Sequence, residues 1–102
     1  MNQRDAVHYI ATRQKFEASA LSGVFKNYTP ETGRLNQAEG NQLAETFATH
    51  GGAYIVYSYG TPIAWYTPNG GWYVVEQKFS TTTSKHTNYV RRAISSELVG
   101  AN

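Results

Sequence analysis

Residues 53–79 contain three β-type segments separated by turn-forming residues, and this spacing constrains the fold more than any other feature. Residues 53–59 are rich in β-branched and aromatic side chains and are followed by a glycine. Residues 62–66 and 72–79 flank the loop TPNGG at 67–71, and a short loop of this composition joins antiparallel neighbours. We therefore predict an antiparallel sheet built around these three segments.

The hairpin side chains should divide between two faces, because side chains alternate along a strand. If Tyr66 pairs with Trp72, one face carries Ile63, Trp65, Tyr73 and Val75. The opposite face then carries Ala64, Tyr66, Trp72 and Val74. We expect four large strand side chains to be largely buried, namely Tyr57, Trp65, Tyr73 and Val75.

The other elements are predicted from apolar spacing and from helix caps. Apolar residues at helical spacing indicate a helix over residues 36–50 and an amphipathic helix over residues 83–98. Asn2 can cap a short helix at the start of the chain, and residues 16–25 indicate one strand with a bulge or a bend at Gly23. We predict an α+β fold, with a small antiparallel sheet of about four strands and helices packed on one face.

Length and composition limit the classes of protein that remain. The 102 residues suffice for one compact domain, and 40% of them are hydrophobic. The absence of cysteine excludes disulfides and thiolate zinc sites, and the three histidines lie too far apart for a metal motif. Residues 1–15 contain no apolar run of the kind found in signal peptides. We expect a cytoplasmic protein with no metal, no cofactor and no membrane partner.

Positive charge is concentrated at the end of the chain. Residues 77–102 hold four cationic side chains and one acidic side chain, a net charge of +3, whereas residues 1–76 carry a net charge of −1. The predicted C-terminal helix has no acidic residue in its first turn, although the positive end of the helix dipole favours one. This imbalance indicates a binding surface for anions.

A helix start with hydroxyl groups and a lysine can hold a phosphate or a carboxylate. We predict an anion-binding or nucleic-acid-binding site that extends along the exposed side of this helix and consists of Thr83, Ser84, Lys85, Tyr89, Arg91 and Arg92. The same segment is also compatible with a solvated helix start whose hydroxyls only cap it. His86 falls on the apolar side of the helix and should point inward.

Tyr66 and Trp72 allow two interpretations. Their rings could stack on nucleobases, or they could lie beneath a helix as part of the core. For catalysis, a hydroxyl among residues 81–84 could pair with Lys85 or His86 as a base, but the sequence supplies no third orienting group. We therefore assign no catalytic residue.

Three segments of the chain form a specific combination, namely FEASALSG at 16–23, VYSYGTPIAW at 56–65 and the segment that runs from Trp72 to KFSTTTSKH at 78–86. Together they resemble a widespread family of small uncharacterised bacteriophage proteins. The resemblance implies a phage accessory protein acting in the cytoplasm of a host bacterium, and it implies no particular activity.

Three hypotheses follow from these observations. The first is a non-enzymatic protein that binds nucleic acid, or another polyanion, through the basic C-terminal helix. The second is a modulator or inhibitor that docks on a host bacterial protein, and the third is a small hydrolase or transferase. The sequence leaves DNA, RNA and an acidic protein open as partners, and it is compatible with a homodimer.

Overall fold

Along the chain, the fold consists of one short helix, a strand hairpin, a longer helix, three strands and a last helix. The computed structural model describes residues 1–100, and side chains are described for residues 1–96. A single turn of 3-10 helix at Gln3–Asp5 leads into the first helix. The elements are α1 (Ala6–Ala11), β1 (Phe16–Ala18), β2 (Leu21–Lys26), α2 (Gln37–His50), β3 (Ala53–Ser58), β4 (Thr61–Thr67), β5 (Gly71–Val74) and α3 (Thr81–Gly100).

The five strands form one antiparallel sheet in the order β1-β2-β3-β4-β5, so each strand lies beside its neighbour in sequence. This confirms the predicted α+β class and adds a fifth strand. Tyr66 pairs with Trp72 across the last hairpin, as the loop between them predicts. The helix over residues 36–50 is also confirmed, because Asn36 caps it through the Glu39 N–H and Gly51 ends it with a φ of 75°.

The segment at residues 16–25 is a hairpin, and the prediction of one strand with a bulge or a bend at Gly23 was wrong. The chain turns at Ser19 and Ala20, where Ser19 has a φ of 59°. Gly23 lies within β2, where it pairs with Phe16 and Val56 in continuous register, so no bulge occurs there. The turn contains no glycine, proline, asparagine or aspartate, so the usual sequence signal for a hairpin is missing.

Helices cover both faces of the sheet, whereas the sequence predicted helices on one face. Tyr54 and Val56 pack in a cluster with residues of α1 and α3. Ala53 and Ile55, which point the other way from β3, pack with residues of α2. A strand covered on both sides is apolar at consecutive positions rather than alternate ones, and the sequence of β3 has that pattern.

A bulge in β4 changes the predicted faces of the hairpin at one position. Val56 pairs with Ala64 and Tyr57 pairs with Pro62, which leaves Ile63 as an extra residue. Ile63 therefore packs in the cluster with α1 and α3 rather than beside Trp65. The other predicted face assignments of the hairpin are confirmed.

Burial follows the prediction for two of the four core residues. Trp65 and Val75 are buried, and Tyr57 and Tyr73 are half-buried. β5 ends at Val74 rather than near residue 79. The strand stops there because the Glu76 N–H leaves the sheet and donates to the Glu39 carboxylate at 2.9 Å.

The same carboxylate also joins α2 to β5. It accepts a hydrogen bond from the Tyr73 hydroxyl, and burial together with this contact raises the pKa of Tyr73 to about 12. Tyr73 therefore stays neutral over the whole physiological range, and its hydroxyl remains a donor to Glu39.

Two glycine substitutions should change stability in opposite directions. A Cβ at Gly23 would overlap the Tyr54 hydroxyl and the Phe16 ring, so we expect Gly23→Ala to lower the free energy of unfolding by about 1–3 kcal/mol. A Cβ at Gly40, inside α2, would meet only Thr32 at 3.4 Å, and Gly40→Ala should raise stability by about 0.5–1 kcal/mol. Urea denaturation measures both, and equal midpoints for the two variants would contradict the close packing at Gly23.

Candidate nucleic-acid interface

α3 begins two residues earlier than predicted, and this moves the predicted anion site. Ser80 caps the helix, since its hydroxyl accepts the Thr83 N–H at 3.2 Å and its carbonyl accepts the Ser84 N–H at 3.0 Å. The first turn holds no acidic residue, as predicted. Lys85 now follows that turn instead of lying within it.

In the structure, the side chains of Thr83, Ser84 and Lys85 do not form one anion-binding site on the surface. Thr83 is only 1% exposed, and its hydroxyl lies 3.2 Å from the Ser58 hydroxyl inside the protein. Ser84 and Lys85 are exposed. Thr83 is therefore placed to anchor the helix to the sheet, and the surface part of the predicted site begins at Ser84.

One side of α3 presents cations to solvent, and we call it the basic face. Its exposed residues recur at helical spacing and are Ser84, Lys85, Asn88, Arg91 and Arg92. The sequence over residues 81–96 contains no aspartate or glutamate, so no acidic residue within that stretch offsets these charges. The basic face therefore combines three cations with short polar side chains that donate hydrogen bonds.

Tyr89 does not belong to this face, and its placement among the exposed residues was wrong. It is 7% exposed and packs in the core cluster with Val90 and Ala93. The Arg92 guanidinium lies 5.7 Å from the centre of the Tyr89 ring. A cation at this distance is attracted to the ring, so Tyr89 helps to position Arg92 at the border of the basic face.

His86 is fully buried, which confirms that it points inward. Its Nδ1 lies 2.6 Å from the Ser58 hydroxyl, and the Tyr59 ring lies 5.9 Å from its own ring. Its Nε2 is buried without a hydrogen-bond partner among the described residues. Burial, and to a lesser degree the charge of Lys85, holds the pKa of His86 below its usual value.

These contacts connect two of the sequence motifs on which the resemblance to a family depends, YSYGT and TTSKH. Ser58 and Tyr59 come from YSYGT, and Thr83 and His86 come from TTSKH. The hydroxyl and imidazole groups fasten the end of β3 to the first turns of α3. Ser58 was not among the predicted site residues, although a serine in an otherwise apolar strand needs a buried hydrogen-bond partner.

Ser58 and His86 have the separation of a nucleophile and its base, but their surroundings favour a structural role. Both side chains are fully buried, so a substrate has no access to the hydroxyl in this conformation. Among the described residues, no carboxylate bonds to the second imidazole nitrogen as an orienting group would. Over the residues that the structure describes, no group of three or more histidine, aspartate or glutamate side chains could hold a metal ion.

Tyr66 and Trp72 are half-buried. Their exposure is therefore intermediate between a core position beneath a helix and an exposed position for stacking on nucleobases. Their ring centres lie 5.3 Å apart, and Trp72 also meets the buried Tyr54 edge-on. The Arg13 guanidinium lies 4.4 Å from the centre of the Tyr66 ring. Both rings pack against the core cluster and keep part of their surface open.

The chain was compared with protein families, curated proteins and solved structures. The model of a family described as "Family of unknown function (DUF8033)" matches residues 25–97. This segment includes the contacts of Ser58 with Thr83 and His86, together with the basic face. No curated protein and no solved structure matches the chain. None of the helices over the described residues has the length and apolar character needed to cross a membrane.

Proposed function

The chain belongs to the DUF8033 family of unknown function, and we propose that it is a non-enzymatic protein that binds nucleic acid through the basic face of α3. The observation that carries this proposal is the grouping of Lys85, Arg91 and Arg92 on one exposed helix side with no acidic residue over residues 81–96. Phosphate groups are the natural partners of such a surface.

The chemistry of the basic face supports phosphate contacts rather than base reading. Arginine and lysine neutralise phosphates and release condensed counterions, which gives affinity without sequence preference. Ser84 and Asn88, which lie between the cations, can donate further hydrogen bonds to phosphate oxygens. The buried contacts of Thr83 and His86 hold the helix on the sheet, so the cations are presented by a fixed element.

We also propose that the protein is a phage accessory protein acting in a bacterial cytoplasm. This part of the proposal is supported by the resemblance of the YSYGT and TTSKH words to small phage proteins. An accessory protein that binds nucleic acid in that compartment meets both phage and host genomes, which gives the basic face abundant partners.

The double variant Lys85→Ala/Arg92→Ala tests the interface. We expect it to bind duplex DNA more weakly for all sequences alike, because the two cations it lacks pair with phosphates and not with bases. The slope of log affinity against log salt should shrink by about 1.8, or about 0.9 for each cation removed. Fluorescence anisotropy with labelled oligonucleotides over a salt series measures both quantities.

The matched control is Arg4→Ala/Lys15→Ala, which removes the same charge from exposed residues outside α3. It should keep most of the affinity and the wild-type salt slope. An equal loss in both double variants would show general charge attraction and contradict a defined interface. Wild-type protein that binds no duplex or single strand at low salt, yet captures a bacterial protein through Lys85 and Arg92, would favour the host-modulator hypothesis instead.

A further inference from the structure

A recess lies on the side of the sheet that α2 covers only in part. The core cluster beneath α2 contains residues of β3 and β4 and, among the described residues, none of β1 or β2. Ser22, Val24 and Lys26 of β2 pair with the residues of β3 that pack in this cluster, so their side chains stand on the same side of the sheet. They line the recess, whose volume is about 590 Å³.

The recess has an acidic end and a basic end. Glu17 of β1 pairs with Ser22 and marks the acidic end. Lys26 lies four residues farther along β2, which places it about 13 Å away at the basic end. Lys15 and Glu31 are the other charged residues among the described lining residues. Two lysines and two glutamates give this surface a net charge of zero.

The charges at the two ends are available to a partner. Glu17 is exposed, and it makes no hydrogen bond or ion pair with another described residue. Lys26 donates to the Tyr28 hydroxyl at 3.1 Å, and its ammonium lies 5.2 Å from the centre of the Tyr28 ring. An ammonium has three protons to donate, so Lys26 can meet a carboxylate and keep its bond to Tyr28.

We propose that this recess is the interface of a homodimer, in which a second copy of the chain packs on it about a two-fold axis near Val24. A symmetric interface must be complementary to itself, because each contact occurs twice with the roles of the two copies exchanged. Val24 lies midway between the two ends of the recess. With the axis there, Glu17 lies opposite Lys26 of the partner subunit, and Lys26 lies opposite the partner's Glu17.

The charge pattern favours a second copy over other partners. A nucleic acid would bring phosphates against Glu17 and Glu31, and an acidic or a basic peptide would match only one end of the recess. α3 packs in the core cluster on the opposite side of the sheet, together with Tyr54 and Val56. Dimerisation therefore leaves the basic face of each copy free, and the inference does not depend on the proposed function.

Sedimentation velocity of the full chain over a concentration series tests the dimer. The wild type should show a monomer–dimer equilibrium. Lys26→Glu should raise the dimer dissociation constant by about 10- to 100-fold, because symmetry turns two attractive pairs into two repulsive ones. Glu17→Lys should have an effect of the same size. Arg4→Glu, a charge reversal at an exposed residue outside the recess, should dimerise like the wild type.

Two combinations show whether these residues face each other. The double variant Glu17→Lys/Lys26→Glu should regain the dimer, because its inverted pattern is again complementary to itself. An equal mixture of the two single variants should form a heterodimer, since one supplies both cations and the other both anions.

Three results would overturn the proposal. They are a wild type that sediments as a monomer at every concentration, a dimer that Lys26→Glu leaves unchanged, and single variants that stay monomeric when mixed. The second result would place the interface elsewhere on the surface. Circular dichroism of each variant shows whether the fold is intact, and Glu17 and Lys26 are not core residues, so we expect wild-type spectra.

Discussion

Replacing Trp65 with alanine is expected to lower the free energy of unfolding by about 3–5 kcal/mol. Trp65 is 1% exposed, stacks on Tyr73 with ring centres 4.9 Å apart, and donates its indole N–H to the Thr46 hydroxyl at 3.1 Å. The substitution leaves a cavity between α2 and the sheet. Because small domains are stable by only about 5–15 kcal/mol, a large share of the stability should be lost.

Urea denaturation followed by circular dichroism measures this loss, and Thr46→Val provides the matched control. The valine keeps the packing volume and removes the hydroxyl, which accepts the indole N–H and donates to the Gln42 carbonyl at 2.9 Å, at a cost of about 1 kcal/mol for each hydrogen bond. A large difference between the two variants would show that packing dominates. A Trp65→Ala protein that unfolds at the wild-type urea concentration would contradict the central position of this side chain.

The position of Trp65 shows what the sequence can predict for this fold. Its burial follows from the strand pattern of residues 62–66 and from the TPNGG loop, which sets the pairing of Tyr66 with Trp72. Both signals are local. The helix at Gln37–His50 was predictable for the same reason, because its cap residue and its terminal glycine lie within the segment.

Features that depend on a distant partner were not predictable. The extra residue Ile63 is defined only by its pairing with β3, and the end of β5 is set by Glu39, a residue of α2. The hairpin turn at Ser19 and Ala20 lacks the glycine, asparagine or aspartate that gives the strongest hairpin signal. Local patterns therefore gave the class of the fold, whereas register and strand ends required tertiary contacts.

The same distinction applies to the candidate site. Helical spacing places His86 inside and Lys85, Arg91 and Arg92 outside, and the structure has them there. Tyr89 lies at the border of the apolar side of α3. α1 packs against α3 in addition to the sheet, which widens the covered side of the helix and includes Tyr89 in the core. The spacing of residues along α3 does not reveal where α1 packs.

The stability of the protein should fall in mild acid because of His86. Burial lowers the pKa of His86 in the folded state below its usual value of 6.5. As the pH falls below 6.5, the unfolded chain takes up a proton that the folded protein resists, so folding becomes less favourable. The contribution of His86 is fully present above pH 6.5 and is lost below it by at most about 1.4 kcal/mol per pH unit.

The groups around the imidazole explain why the folded state resists this proton. Ser58 and Thr83 are neutral, Tyr59 presents its ring, and Lys85 on the same helix is itself cationic. Among the described residues, no hydrogen-bond acceptor meets Nε2. An imidazolium would therefore be buried without an anion to balance its charge. Water can reach it only if the first turns of α3 move away from β3.

The measurement is the free energy of unfolding of the wild type and of His86→Gln between pH 7.5 and about 5. Glutamine can still bond to Ser58 but does not titrate, so the variant should lose the part of the pH dependence that begins at 6.5. His8→Gln, a change at an exposed histidine, should keep the wild-type profile. All three proteins have the same carboxyl groups, so the differences between their profiles isolate the substituted histidine. Parallel profiles for wild type and His86→Gln would show that His86 does not couple protonation to folding, and the acid sensitivity would have to arise elsewhere.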